Sequence, residues 1–173
     1  MAPIKTLDVV GIGNAIVDVL VHADDDQLDN LELTKGTMAL VDEHQAETLY
    51  AQVRPGLETS GGSAANTLAG VAQLGGRAGF IGRVRNDQLG GIFAHDIRSV
   101  GARFETPAAT EGPSTARCLI LVTPDAQRTM CTYLGASVGL DPADLDLEMV
   151  AQAKLLYLEG YLWDSDEAKA AFI

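Results

Sequence analysis

Two short stretches carry side chains whose type and spacing suit recognition of a polyhydroxylated molecule. Asn14 and Asp18 lie just beyond an apolar run, and Gly61-Gly62-Ser63-Ala64-Ala65-Asn66 opens a run of small residues. A carboxylate accepts from two hydroxyls at once, and a carboxamide both donates and accepts. The paired glycines permit close backbone approach, and the N–H groups at the start of a following helix can bind oxygen atoms. A plainer reading stands beside this one: Asn66 bonds only to backbone, and Gly61-Gly62 only turns the chain. Other chemistries lose their footing. Gly11-Ile12-Gly13 follows a candidate strand, but the sixth position of a dinucleotide fingerprint is Ile16 and the next residues read as strand. No GxxxxGK[ST] phosphate loop occurs. Cys118 and Cys131 lack CxxC spacing or a neighbouring His, and His22, His44 and His95 are scattered, so the expectation is two buried reduced thiols and no protein-built metal site.

The elements that must position these residues follow from pattern. Leu7–Ile12, Val17–Val21, Thr37–Val41, Ala78–Val84, Ala116–Val122, Arg128–Leu134 and Leu155–Glu159 read as strands. The acidic stretch at Asp24 opens a short polar helix or turn. Asp42 with Gln45 forms a capping-box pattern that starts a helix to about Val53, before Pro55-Gly56. A small-residue helix runs from Ala64 to Leu74, stopped by Gly75-Gly76. Asp87 caps a helix to about Val100, Pro142 opens one to about Ala153, and Ser165 caps a final one. Strands alternating with helices predict an α/β fold with a mostly parallel sheet. The segments 17–21, 37–41 and 116–134 come without crossover helices and predict a small separate sheet. The last helix has no strand after it, so the chain reads as the front part of a longer α/β protein.

Charge narrows the partners. The 173 residues carry 12 Lys+Arg against 24 Asp+Glu, a net charge of −12, which disfavours nucleic acid and anionic membranes. All eight arginines fall between Arg54 and Arg128 with only six acids, a segment of net +2, while the remainder is −14. The basic middle either faces an anionic small ligand or is an ordinary mixed surface. There is no secretory apolar run at the N-terminus and no membrane-length segment, so a cytoplasmic protein is expected.

Gly61-Gly62-Ser63-Ala64-Ala65-Asn66, followed by Gly75, Phe80-Ile81-Gly82 and Asp87-Gln88-Leu89-Gly90, resembles the N-terminal signature of the ribokinase-like (PfkB-type) carbohydrate kinases. Gly13-Asn14-Ala15-Ile16-Val17-Asp18 is similar to that family's first substrate loop, and the resemblance runs from about Asp8 to Asp164. Within the family it is nearest to adenosine kinases, through Asn14 to Asp18, Gly62-Ser63 with Asn66, and Tyr157-Leu158-Glu159-Gly160-Tyr161-Leu162, although Leu162 stands where an aromatic is expected. The resemblance implies one ribokinase-like α/β domain, of which residues 1–173 are the N-terminal part, with the separate sheet as a lid. It implies transfer of the ATP γ-phosphate to a primary hydroxyl of a nucleoside or sugar. Asp18 would hold sugar hydroxyls, with Asn14, Gly62, Ser63 and Asn66 completing the pocket and Tyr161 lining a base site. Arg128 would approach the transferred phosphate or be an exposed lid residue. ATP and Mg2+ are implied as cofactors, and a homodimer through lid strands is conceivable. The family's GAGD-type segment, which supplies the catalytic base, is absent from the 173 residues, so no base is assigned and this chain alone is expected to be inactive. Fructokinase-type or ribokinase-type activity, or a non-catalytic binding module, are the alternatives.

Overall fold

The computed structural model describes residues 4–53, 56–164 and 166–173. Two sheets organise it. The first is wholly parallel and is built from β1 (Leu7–Ile12), β5 (Ala78–Ile81), β6 (Arg103–Phe104) and β9 (Ala153–Leu158) in the order β6-β5-β1-β9. The second contains β2 (Ile16–His22), β3 (Met38–Leu40), β4 (Leu57–Gly61), β7 (Ala116–Val122) and β8 (Arg128–Tyr133) in the order β3-β8-β7-β2-β4. Its pairings are mixed: β2 runs parallel to β7 and antiparallel to β4, while β7 and β8 form the expected antiparallel hairpin. The separate sheet predicted from segments 17–21, 37–41 and 116–134 is therefore present, with one strand more than the pattern showed.

Among the described residues there are six α-helices: α1 (Asp25–Asn30), α2 (Glu43–Gln52), α3 (Ser63–Gln73), α4 (Gln88–Ser99), α5 (Leu147–Gln152) and α6 (Asp166–Phe172). Local chemistry starts most of them. Asp24 with Gln27, and Asp42 with Gln45, form reciprocal capping boxes, and the Asp87 carboxylate accepts from Gly90 N–H at 2.8 Å. The expected helix from Pro142 to Ala153 is a correction. Pro142–Asp144 is one 3₁₀ turn, and Asp146 then accepts from Met149 N–H to start the separate short α5. An Asp at 146 competes with the preceding turn for backbone donors and resets the start. The strand from Ala78 ends at Ile81 rather than Val84. The predicted Ser165 cap lies outside the described residues.

β4 and β6 are strands that pattern did not reveal. Leu57-Glu58-Thr59-Ser60-Gly61 carries little apolar signal and is held as strand by antiparallel pairing with β2, from Leu57 against Leu20 to Gly61 against Ile16. β6 is only two residues long. Tertiary context sets such short strands.

Burial follows these layers. Val17, Val19 and Val21 of β2 join Leu119, Leu121 and Cys131 in a core shared with Leu68 of α3 and Phe93 and Ile97 of α4. Phe80, Phe93 and Phe104 meet there with ring centroids 5.3 to 6.0 Å apart. A second core on the other face of the parallel sheet gathers Val10, Ile12, Ile81, Leu140, Met149 and Leu162. Strand alternation sends Ile16, Asp18 and Leu20 to the opposite face of the second sheet. In register beside them lie Cys118, Ile120, Met130, Thr132 and the exposed Met38 and Leu40. That face has no helix over it among the described elements.

The two sheets meet where β1 turns into β2 and where β4 turns into α3. β9 reaches the same place. Strand carboxyl ends and a helix start thus converge on one corner, the usual position of ligands in α/β folds.

Candidate functional site at the junction of the two sheets

Gly62 makes the turn from β4 into α3. Its φ is +93°, and a Cβ there would lie 2.6 Å from the Asn14 carbonyl oxygen, so only glycine brings these two segments together. Gly61 has a different reason. A Cβ at that position would fall 2.2 Å from Asp18 Cγ: the Asp18 carboxyl lies directly against the glycine backbone. The carboxylate and the glycine cluster therefore do meet.

A cavity of about 330 Å³ opens at this corner. Asn14, Ser63, Thr132 and Glu159 contribute polar side chains to its lining, and Ile16, Met38, Leu40, Leu134 and Tyr161 larger, mostly apolar ones. Its volume suits a small organic ligand. A hollow of about 470 Å³ between α1 and α2 is larger, but none of Asn14, Asp18, Gly62, Ser63, Asn66, Arg128 and Tyr161 lines it.

Of those residues, the structure brings Asn14, Ser63 and Tyr161 to the cavity wall. Gly62 lies behind it as the helix start. Asp18 borders it without lining it, two residues along β2 from Ile16 and in the same cross-strand row as Cys118 and Thr132. Its carboxyl makes no side-chain hydrogen bond or ion pair among the described residues, and burial pushes it up to about 6. The neighbouring Cys118 thiol is pushed up to about 11, first by burial, with the Asp18 charge adding to it. Both cysteines are free and buried, as expected. Asn66 is exposed on α3, one turn beyond Ser63, and does not line the cavity. Arg128 is exposed at the first residue of β8, roughly 13 Å along the strand from Thr132. It is not part of the cavity. Leu162, at the position where an aromatic was expected, is fully buried in the second core, and Tyr161 beside it is 77% exposed.

The residue that sequence reasoning missed is Glu159. It follows β9 directly, its amide donates to the Ile12 carbonyl at 2.9 Å, and the residue is only 3% exposed. Oε2 accepts from the Asn14 backbone N–H at 2.7 Å and from Asn14 Nδ2 at 2.8 Å. Oε1 accepts from the Ala64 N–H at 3.1 Å and from the Ser63 hydroxyl. One carboxylate thus ties the β1–β2 turn, the start of α3 and the end of β9 together, and a negative group is favoured at a helix start. The signal available in the sequence was a lone acid closing an apolar strand, Leu155-Leu156-Tyr157-Leu158-Glu159.

Among the described residues, no group of three or more His, Cys, Asp or Glu side chains is arranged to hold a metal ion. Mg2+ beside a nucleotide does not need such a cluster, since one or two carboxylates and the phosphates hold it. No helix among the described residues is long and apolar enough to cross a membrane.

Comparison with known proteins agrees with this geometry. The sequence matches the pfkB family of carbohydrate kinases over residues 37–172. A probable sugar kinase protein from Rhizobium etli CFN 42 superposes with a TM-score of 0.87 at 50% identity, covering 97% of this chain and 51% of that one. The adenosine kinase from Sinorhizobium meliloti gives 0.85 at 52% identity, covering 95% and 50%. Fructokinase-2 of Solanum lycopersicum is 30% identical over 103 residues, 58% of this chain and 31% of its own. The chain spans about half the length of these solved kinases and about a third of the curated relative. With the family match extending from the second sheet to the last helix and enclosing most of the cavity wall, the chain belongs to the pfkB family of carbohydrate kinases.

Proposed function

We propose that this chain forms the acceptor-substrate half of an ATP-dependent kinase site and binds a nucleoside, adenosine or a close relative, whose primary hydroxyl receives the phosphoryl group. The observation that carries the reading is that one 330 Å³ cavity is lined both by hydrogen-bonding side chains and by a set of apolar ones. Ser63 and Asn14 offer hydrogen bonds to a ribose, and the Asp18 carboxyl beside Gly61 accepts from its hydroxyls. Met38, Leu40, Leu134 and the exposed Tyr161 ring provide a surface for a flat base. The 52% identity to an adenosine kinase supports the same choice. In phosphoryl transfer most of the catalysis is positioning and charge stabilisation. The part of this chain is to orient the sugar and, with the open face of the second sheet, to exclude water. Arg128 is proposed to act on the transferred phosphate only if the second sheet moves, because it stands outside the cavity.

A second reading, a plain sugar kinase, is favoured by the similarity to fructokinase-2. A hexose satisfies the hydrogen-bonding side chains but leaves the apolar ones uncovered. A thermal-shift series with adenosine, ribose and fructose separates the two, since a ligand that prefers the native state raises the midpoint. Adenosine is expected to raise Tm most, and Asp18→Ala to abolish the shift. A shift by fructose alone overturns the nucleoside reading, and an Asp18→Ala chain that still binds adenosine equally well overturns the site.

A further inference from the structure

The segment 134–146 crosses from β8 of the second sheet to α5 beside the parallel sheet, and it contains no strand or α-helix. Two 3₁₀ turns carry it, Gly135–Gly139 and Pro142–Asp144. The first turn meets the cavity twice. Leu134, which precedes it, lines the cavity, and so does Asn14. Ser137, inside the turn, is fully buried. Its hydroxyl stands 2.8 Å from Asn14 Oδ1 and 2.5 Å from the Leu134 carbonyl, one proton serving two acceptors. A 3₁₀ turn has poor hydrogen-bond geometry of its own, so its anchors come from outside. At the start, the Ala136 N–H donates to the Ser114 carbonyl at 2.9 Å. At the end, the anchor is Arg83.

Arg83 stands two residues beyond β5, past the carboxyl end of a parallel strand. Its Nη1 donates to the Gly139 carbonyl at 2.8 Å, to Asp141 Oδ2 at 3.1 Å and to Asp144 Oδ2 at 3.0 Å. The same two carboxylates start the second turn: Asp141 Oδ1 accepts from the Ala143 N–H at 2.7 Å, and Asp144 Oδ2 from the Asp141 N–H at 3.0 Å. Two carboxylates on one nitrogen repel each other, and the guanidinium charge offsets both. The Asp144 side chain is only 15% exposed, so water screens this cluster less than an open surface pair.

We infer that Arg83 is a positioning residue for the cavity: as the cation shared by Asp141, Asp144 and the Gly139 carbonyl, it holds the turn that sets Asn14 and Leu134 against the ligand. This rests on the nucleoside or sugar reading of the site and deepens it. Arg83 does not line the cavity, so it acts through the turn. Without it, Asp141 and Asp144 face each other with no counter-charge between them, and Gly139 loses its donor. Ser137, two residues before Gly139, then leaves Asn14 Oδ1. Thus a residue at the end of the parallel sheet fixes two groups of the ligand site.

The test compares Arg83→Lys, Arg83→Met, Ser137→Ala and the double variant of Arg83→Met with Ser137→Ala, each in the full 173-residue chain. One nitrogen makes all three contacts of Arg83, and a lysine ammonium also carries three donors, so Arg83→Lys is expected to keep the turn. Arg83→Met keeps an apolar stem and loses the charge. The first measurement needs no ligand: the NMR positions of the Asn14 side-chain amide. Ser137→Ala and Arg83→Met are expected to displace them in the same direction, and Arg83→Lys to leave them in place. Parent positions in Arg83→Met overturn the inference. The second measurement is adenosine affinity. Ser137→Ala and Arg83→Met are each expected to weaken it about fivefold or more, and the double variant by no more than about twofold beyond the worse single. Losses that multiply in the double variant mean that Arg83 acts on the fold and not through Ser137, which overturns the inference. If Arg83→Met does not fold, Arg83→Lys decides: resonances and affinity that follow Ser137→Ala instead of the parent overturn it. If no chain binds adenosine, ribose or fructose while the Asn14 resonances respond as expected, the nucleoside and sugar readings fail and the positioning role of Arg83 stands.

Discussion

The two sheets treat their faces differently. The parallel sheet has a core on each side: Val10 and Ile12 point into one, and the Phe80, Phe93 and Phe104 cluster occupies the other. The second sheet is packed on one face only. Its other face keeps Met38 56% and Leu40 64% exposed, and it places the half-buried Asp18 without a side-chain hydrogen-bonding partner among the described residues. Unfilled capacity is not confined to that face: on β9, at the edge of the parallel sheet, Leu155 is 69% and Leu156 47% exposed, and Arg117 on the packed face of the second sheet keeps Nε and Nη2 buried without a partner among the described residues. The comparison teaches that stability lies in the core both sheets share, with Phe80, Phe93 and Phe104 on one side and Val17, Val19 and Leu121 on the other, while the face of the second sheet that carries Asp18 has no helix over it among the described residues.

The contrast is broken first at its stable side. Phe93 is fully buried between two aromatic neighbours, with ring centroids at 5.7 and 5.3 Å. Phe93→Ala is expected to destabilise the chain by about 3–5 kcal/mol, from lost burial and the cavity left behind. Urea unfolding checks this. Wherever the variant remains folded, its ratio of affinities for adenosine and fructose should match the parent's. A loss below about 1 kcal/mol, or an altered ratio, would erase the division between the shared stabilising core and the proposed ligand face.

That division also sets what was legible in the sequence. The β-branched runs at Leu7–Ile12 and Val17–Val21 announce strands because burial selects such residues. Asp42 with Gln45, and Asp87, announce helix starts because a carboxylate must meet free N–H groups there. Asn14, Ser63 and the glycines stood out through their resemblance to a family signature, since a turn and backbone bonding would by themselves account for the same residues. β4 was not, since its polar residues become a strand only through β2. Glu159 was not either: its role exists only when residues 145 positions apart come together, and a single acid after a strand carries no mark of that. The Pro142 helix failed for a local reason, as Asp146 offers a second start four residues on.

A moderate effect is expected at Asp18. Its carboxyl is raised to about 6 by burial, so the folded state favours the neutral form. The sign follows: the stability this group permits is complete below its unfolded value near 4 and is lost as pH rises through about 6. Asp18→Asn removes that loss. At pH 8 the variant is expected to be more stable than the parent by about 1–2 kcal/mol, less than the full linkage of ~3 kcal/mol because the group is partly open to solvent. At pH 4 the two should agree. Binding runs the other way, because hydroxyls that donate to the carboxylate favour its ionised form. Parent affinity for adenosine should rise with pH through about 6, and Asp18→Asn should bind weakly without that rise. Denaturation and calorimetry at the two pH values measure both; a variant equally stable at pH 4 and 8 relative to the parent would mean that Asp18 is not a group waiting for a partner.

The smallest effect on stability, and the sharpest on the choice of ligand, belongs to Leu40. It lines the cavity wall while 64% exposed, so Leu40→Ser removes little buried area and is expected to change unfolding free energy by less than about 0.5 kcal/mol. A nucleoside whose base covers this wall loses apolar contact with it, about 1 kcal/mol or roughly fivefold in affinity. A sugar held by Asn14, Ser63 and Asp18 alone is expected to bind the variant as it binds the parent. Titrating parent and variant with adenosine and with fructose gives four numbers, and the reading requires that only one of them move. Equal losses for both ligands would place the sugar against the same wall and remove the reason for preferring a nucleoside.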